Sequence, residues 1–378
     1  MHDRRHERDL LKRKLAAGRS IHMPAPRRIG KTWTIGRLAG DLRADGWHVI
    51  EIDVEGMRTP GEFARTLCSR IEAQSAIWER FKTQAVHRFN NLLGGRWGDK
   101  PLDALATVDP IEFAETLIAS LEESSDKTAI IIDEIAYFFL ALAEDNVKEA
   151  HAFAYKLRAL QQRYKKVRWL ITGSIGLDTI ARRYGLEGAF VDFDPFELAP
   201  FTTAEALSYM RAPAMQQMFN HGFDASDADF KTMFDELGWL APYYLNLVAN
   251  EVRPSIAGSA GGPAIATRAD LDAAFEKLLQ PNRRSAFAIW REHIDKNLPG
   301  PDREMAHRIL DFLSRGGPEG ENEDTLLAQV SSMGTVTRPQ LRDILAMLVN
   351  DGLLVRADRR YTFRSGLVRR YWQEFESE

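Results

Sequence analysis

Cysteine is nearly absent from this chain of 378 residues, with Cys68 standing alone. One thiol makes neither an internal disulfide nor a multi-cysteine zinc site, so a disulfide scaffold is excluded and a reducing compartment fits best. A dominant charge is missing as well. The 50 Lys and Arg against 54 Asp and Glu leave a formal net charge of −4. That balance excludes a coat for nucleic acid by bulk charge but permits a local contact. No apolar run is long enough for a bilayer: the most apolar stretch, residues 129–143, carries Asp133 and Glu134 near its middle. The first 14 residues carry charges throughout and lack the apolar core of a signal peptide. These absences lead us to expect a soluble, cytoplasmic chain with no membrane partner. The nine histidines show no metal-ligand spacing. His2 and His6 are helix-spaced, but no third ligand stands nearby and a solvated helix face accounts for them. The sequence has no Gly-x-Ser-x-Gly elbow, no setting for a cysteine nucleophile and no internal repeat.

What is present is an ordinary globular composition, 44% hydrophobic and 28% charged. At about 150 residues per domain, the length suggests two or three domains. In the first 200 residues helical patterns alternate with short apolar strands. Leu10, Leu11 and Leu15 share a helical face that ends at Gly18, and Ile35, Leu38 and Leu42 mark a helix over 32–43. Residues 21–24, 47–54, 129–132 and 167–172 read as strands, with a last candidate at 189–193. Apolar strands alternating with helices predict an α/β fold whose parallel sheet is covered on both faces. An irregular stretch around Gly94, Gly95 and Trp97 reads either as a partner-binding insertion or as ordinary packing.

From about Pro200 the long strands disappear. Thr202 and Glu205 form a capping-box start, and helices continue to about Val252. A Pro/Gly/Ala/Ser-rich stretch at 254–263 reads as a mobile loop or linker, followed by a helix pair at 268–279 and 284–296. The remainder reads helix, helix, helix, hairpin, helix. Thr337 and Gln340 start the third of these as a capping box with Pro339 in the first turn, and Leu341, Ile344, Leu345 and Leu348 form its stripe. Strands at 353–356 and 361–364 flank Asp358 and Arg359. This is the order of a winged helix-turn-helix. The expected division is a core over 1–200, a helical segment over 201–298 and a winged helix-turn-helix over 299–378.

Chemistry enters at Ala25-Pro26-Arg27-Arg28-Ile29-Gly30-Lys31-Thr32, which fits (Gly/Ala)-x-x-x-x-Gly-Lys-Thr between a strand and a helix. Such a loop wraps backbone N–H groups around a β-phosphate, and the helix N-terminus adds positive partial charge. Arg27, Arg28, Ile29, Gly30, Lys31, Thr32 and Trp33 are the expected nucleotide-binding residues. Gly30 allows close backbone approach, Lys31 reaches the β/γ oxygens and the Thr32 hydroxyl ligates Mg²⁺. Ala25 stands where glycine is usual, and alanine is acceptable there if φ is negative. The competing reading is a basic turn before an ordinary helix.

The second motif is Ala129-Ile130-Ile131-Ile132-Asp133-Glu134. A buried strand ending in two carboxylates is costly unless they meet a cation or a network. Beside the loop, Asp133 would hold Mg²⁺ through water, and Glu134 would orient or deprotonate the attacking water. Alone, the same run is a strand entering a solvated turn.

With these motifs in order, the chain resembles the prokaryotic P-loop ATPases of the archaeal-type group, on the STAND/AAA+ side of the additional-strand class. The resemblance runs from the charged helix Arg5-His6-Glu7-Arg8-Asp9-Leu10 through the loop and Ile131-Ile132-Asp133-Glu134 to Leu170-Ile171-Thr172-Gly173-Ser174. Phe196-Glu197-Leu198-Ala199-Pro200-Phe201, Thr203-Ala204-Glu205-Ala206, Pro242-Tyr243-Tyr244-Leu245 and the basic-aromatic tail at 361–372 continue it. It implies a sheet of order 5-1-4-3-2 followed by a helical lid and a winged helix. It also implies ATP and Mg²⁺ as cofactors and an ATP-driven switch of slow turnover, whose nucleotide state a partner reads. Lys31 and Glu134 would be catalytic, with Thr172 or Ser174 between the γ-phosphate and the water; the alternative there is a plain Ser/Gly turn. Arg182 and Arg183 are arginine-finger candidates for a homo-oligomer, or else an exposed basic pair. One departure is that Trp239-Leu240-Ala241 precede Pro242 where the family has a glycine pair.

The winged helix offers Arg338, Arg342, Arg359 and Arg360 as candidate contacts to duplex DNA, with Arg356, Arg364, Arg369 and Arg370 around them. Glu319, Glu321, Glu323 and Asp324 make the region roughly neutral, and docking of a protein is the other reading. Three functions stand as expectations: an ATP-hydrolysing switch, a nucleotide-gated DNA-binding regulator or loader with little turnover, and a scaffold holding ATP as a structural ligand.

Overall fold

The computed structural model describes residues 4–73, 109–123, 127–174, 176–259, 262–298, 300–332 and 336–376. His2, Gly94, Gly95 and Trp97 lie outside the described residues. Among those described, no helix is long and apolar enough to cross a membrane. The chain packs as two compact units, residues 4–25 with 32–198 and residues 26–31 with 199–378.

Five parallel strands form the first unit's sheet: β1 (Ser20–Pro24), β2 (His48–Asp53), β3 (Thr128–Asp133), β4 (Val167–Gly173) and β5 (Phe193–Pro195). Their order is β2-β3-β4-β1-β5, the expected 5-1-4-3-2 read from the other edge. Side chains alternate between the faces, as a pleated strand requires. Val49, Ala129, Ile131, Leu170, Ile21 and Met23 pack with Leu11, Leu15, Leu38 and Leu42 of helices α1 (Arg5–Ala16) and α2 (Lys31–Ala44). Ile50, Ile52, Ile130, Ile132, Trp169 and Ile171 face the other way, toward helices Pro60–Glu72, Pro110–Glu123, Ile135–Asp145 and Val147–Arg163. Burial on both faces is why these strands read as continuous apolar runs rather than as alternating ones.

The last strand departs from expectation. Helix Leu177–Tyr184 stops at Gly185, whose φ of 70° suits a left-handed C-terminal cap, and Glu187–Phe190 forms one more helical turn. Ala189 is buried from that turn, so the strand starts only at Phe193.

The second unit begins with the helices Thr203–Arg211, Asp227–Leu237, Pro242–Glu251 and Arg268–Leu278. Both halves of the Thr202–Glu205 capping box are made. The stretch read as a linker is tied back at its described ends: Ile256 pairs with Ile265, and the Ser255 hydroxyl donates to Asp270 at 2.7 Å. The second helix of the expected pair begins late, at Ala288, because Pro281–Ala286 winds as a 3₁₀ turn.

The final part has helices Gly300–Arg315, Glu323–Ser331 and Arg338–Asn350, the hairpin Leu354–Ala357 with Arg360–Phe363, and helix Gly366–Phe375. A short strand, Glu321–Asn322, adds a third member to the hairpin. Asp358 and Arg359 both turn with positive φ, 48° and 63°, which matches a two-residue turn to the twist of its strands. Thr337 caps its helix through the Gln340 N–H, but the Gln340 side chain donates to Asp302 at 2.8 Å. That capping box is therefore only half formed.

Candidate functional site

Parallel strands bring their carboxyl ends to one edge, and the chemistry-bearing residues of the first unit gather there. β1 and β4 lie side by side, with Pro24 opposite Gly173 and the Ala25 N–H donating to the Gly173 carbonyl at 3.2 Å. β3 ends at Asp133, opposite Asp53 of β2. Glu134 follows in the left-handed region, φ 55°, at the start of helix Ile135–Asp145. A non-glycine residue there carries strain that its surroundings must offset. Ser174 supplies part of that hold: its N–H and its hydroxyl both donate to Glu134 Oε2 at 2.9 Å. Thr172 donates to Asp133 Oδ1, which also accepts from the Glu134 N–H at 3.0 Å. Thr172, Ser174 and Glu134 are buried, and Asp133 is half-buried. The two hydroxyls the sequence offered as alternatives thus each hold one of the two acidic residues.

The loop that leaves β1 enters the left-handed region at alternate positions, Arg28 at φ 69° and Gly30 at φ 95°, while Arg27 and Ile29 stay out of it. Alternation of this kind turns successive N–H groups toward one side and makes an anion-binding concavity. Ala25 is buried and does not adopt positive φ, so alanine fits where glycine is usual. Lys31 is buried at the start of α2, and Thr32 and Trp33 are exposed on its first turn. The Arg37 guanidinium lies 5.4 Å from the centre of the Trp33 ring. Within the second unit the loop touches the helix Pro242–Glu251, where the Arg28 guanidinium sits 4.2 Å from the centre of the Tyr243 ring.

Arg182 and Arg183 occupy the last turn of helix Leu177–Tyr184, the first exposed and the second half-buried. Arg338 lies 2.6 Å from Asp324, and Arg342 2.9 Å from Glu323. Arg359 is exposed at the hairpin turn. Arg360 donates to the carbonyls of Glu319 and Gly320 at 3.1 and 3.0 Å. Arg369 donates to the carbonyls of Ser314 and Gly316, and Arg370 pairs with Glu236 at 3.1 Å.

Two residues at these places were not among the site candidates read from the sequence. Asp53 ends β2 as Asp133 ends β3, and burial holds its carboxyl above the usual range, with the charges of Asp133, Glu55 and Glu134 acting the same way. The repeated Ile-Asp at the end of an apolar strand was the available signal. Tyr243 is the other, and no local pattern marks it as a neighbour of the loop.

The structure is similar to a Walker-type ATPase of Pyrococcus abyssi at a TM-score of 0.65 and 15% identity, covering 98% of this chain and 95% of that one. The fold is that of an archaeal Walker-type ATPase. The Aeropyrum pernix ORC2 protein, solved as ADPNP–ADP complexes, is similar at a TM-score of 0.50 and 13% identity, covering 96% and 90% of the two chains. No protein-family model and no curated protein matches the sequence. In this Walker-type fold the loop at 25–32 stands between β1 and α2, and Asp133 and Glu134 end β3.

Proposed function

We propose that the chain binds ATP with Mg²⁺, hydrolyses it slowly, and passes its nucleotide state to a protein partner through residues 201–378. The observation that carries the reading is the backbone of the loop. Positive φ at Arg28 and Gly30, alternating with Arg27 and Ile29, is the kind of backbone that gathers N–H groups on one side, and it stands just ahead of Lys31 and Thr32. Arg27 to Trp33 would supply the phosphate contacts, with the Lys31 ammonium against the β/γ oxygens.

Thr32 and Asp133 offer a hydroxyl and a carboxylate, hard oxygen donors of the kind Mg²⁺ takes when phosphates and waters fill its remaining positions. Among the described residues no group of three His, Cys, Asp or Glu could hold a metal ion. When bound, the ion would offset phosphate charge. Glu134 would take the proton of the attacking water, with Ser174 fixing which way the carboxylate points. Thr172 would orient Asp133 in the same manner.

A nucleotide-bound neighbour, the ORC2 protein with ADPNP and ADP, is in keeping with binding. A protein partner is favoured over duplex DNA because Arg338, Arg342 and Arg360 already meet carboxylates or carbonyls of their own unit. An arginine finger from Arg182 or Arg183 belongs to the same proposal and requires an oligomer.

The test is phosphate release from ATP by the purified wild type, with Mg²⁺ and with a chelator in its place. Slow release with Mg²⁺ and none with chelator is expected. No release above buffer in either would contradict hydrolysis, and ATP binding without release would favour the scaffold.

A further inference from the structure

Residues 26–31 belong to the same compact unit as residues 199–378, and residues of that unit lie near the loop at three places. A side chain on Gly352 would meet Pro26 at 2.9 Å and Trp239 at 3.1 Å, so Pro26 packs closely beside the segment that precedes the hairpin. Arg28 lies over the Tyr243 ring at 4.2 Å. Pro242 is the residue nearest to where a side chain on Gly30 would sit, at 3.9 Å. The middle contact falls on the residue that needs it most. Arg28 holds φ at 69°, a conformation that glycine adopts freely and arginine resists. Tyr243 is itself fixed, since its hydroxyl donates to the Ala286 carbonyl at 3.0 Å and its ring meets Tyr244 edge-on at 5.4 Å.

We propose that Tyr243 is a positioning residue for the phosphate loop: its ring clamps the Arg28 guanidinium, holds Arg28 in the left-handed region and keeps the concavity of N–H groups open. This rests on the reading of residues 25–32 as a phosphate site and names how that site is regulated. A cation over an aromatic ring at an exposed position is worth roughly a two- to fivefold factor in an equilibrium. Displacing the helix Pro242–Glu251 from the loop therefore loosens nucleotide by about that factor, and bound nucleotide favours the clamped position of the helix equally.

The test is calorimetric titration of ATP and of ADP into folded full-length variants. Tyr243→Leu weakens both nucleotides by about two- to fivefold, because both present a β-phosphate to the loop. Tyr243→Phe, which keeps the ring and loses only the hydroxyl bond to Ala286, restores the affinity. In an Arg28→Gly background the same Tyr243→Leu change has no effect, since glycine needs no clamp. Equal weakening by Tyr243→Phe and Tyr243→Leu would overturn the proposal, as would an undiminished Tyr243→Leu effect in the glycine background. Unchanged affinity in Tyr243→Leu, with binding still weakened about 100-fold or more by Lys31→Ala, would overturn the clamp and leave the phosphate site standing. Binding that Lys31→Ala leaves unweakened would remove the site on which the clamp depends.

Discussion

At the carboxyl edge of the parallel sheet, Asp133 and Glu134 accept hydrogen bonds from Thr172 and Ser174, whereas in the C-terminal helices Arg338 and Arg342 lie against Glu323 and Asp324. A hydroxyl orients a carboxylate and leaves its charge in place. A carboxylate beside an arginine cancels the charge and leaves less for an outside ligand. Both regions are rich in ionisable residues, and a sequence that lists them side by side cannot rank them. The partner makes the difference: a neutral donor fixes the direction of a carboxylate that keeps its charge, whereas an opposite charge offsets it. Arg369 makes the same point, because it donates to the carbonyls that end helix Gly300–Arg315 and so caps that helix.

The contrast can be broken at either end. The largest effect is expected at Glu134: Glu134→Gln keeps the shape of the side chain and removes its basicity, so hydrolysis falls by about 10²- to 10⁴-fold while ATP binding persists. Hydrolysis at the wild-type rate would remove Glu134 from the chemistry. Next, Thr172→Val deletes the donor that orients Asp133. The concentration of Mg²⁺ needed for half-maximal turnover then rises about tenfold or more, the usual consequence of losing a group that positions a metal ligand. An unchanged Mg²⁺ requirement would mean that Thr172 only packs.

In the C-terminal helices the expected effects are small. Replacing Arg338 and Arg342 together by glutamine removes exposed ion pairs, and the melting temperature moves by at most about 2–3 °C. Binding to duplex DNA in a salt titration should be the same for wild type and variant. Salt-dependent binding that the double replacement abolishes would reverse the comparison and restore those arginines as DNA contacts.

The smallest effect concerns His22, buried on β1. Burial pushes its imidazole below the usual range, and the Asp178 charge opposes this more weakly. The unfolded chain therefore binds the proton more readily, and stability falls as pH drops through about 6.5. His22→Asn should flatten the dependence of melting temperature on pH between about 7.5 and 5.5. An unchanged slope would show that His22 does not contribute to it.

The parallel sheet was legible because local patterns carry it. Ile130 and Ile132 face one layer of helices while Ala129 and Ile131 face the other, so the run is apolar throughout and strand-like in length. The loop was legible for the same reason, since Gly30, Lys31 and Thr32 are consecutive. The fifth strand was misjudged by a few residues because Ala189 is apolar for a helical turn rather than for a strand. Partners across the chain were not legible. Nothing near Ser174 announces that its hydroxyl meets Glu134, and nothing near Tyr243 announces Arg28. Those pairings depend on strand order and on how helices settle over the loop, which are properties of the folded molecule. Arg342 and Glu323 are a further case, since opposite charges far apart in sequence gave only a near-zero sum.

The central claim is that residues 25–32 form a phosphate site, and calorimetric titration of MgATP into wild type and Lys31→Ala tests it most directly. Saturable binding by wild type, weakened about 100-fold or more in a folded Lys31→Ala protein, is the predicted result, because the ammonium is the loop's charge-assisted contact to phosphate. Equal affinity for the two proteins would contradict it.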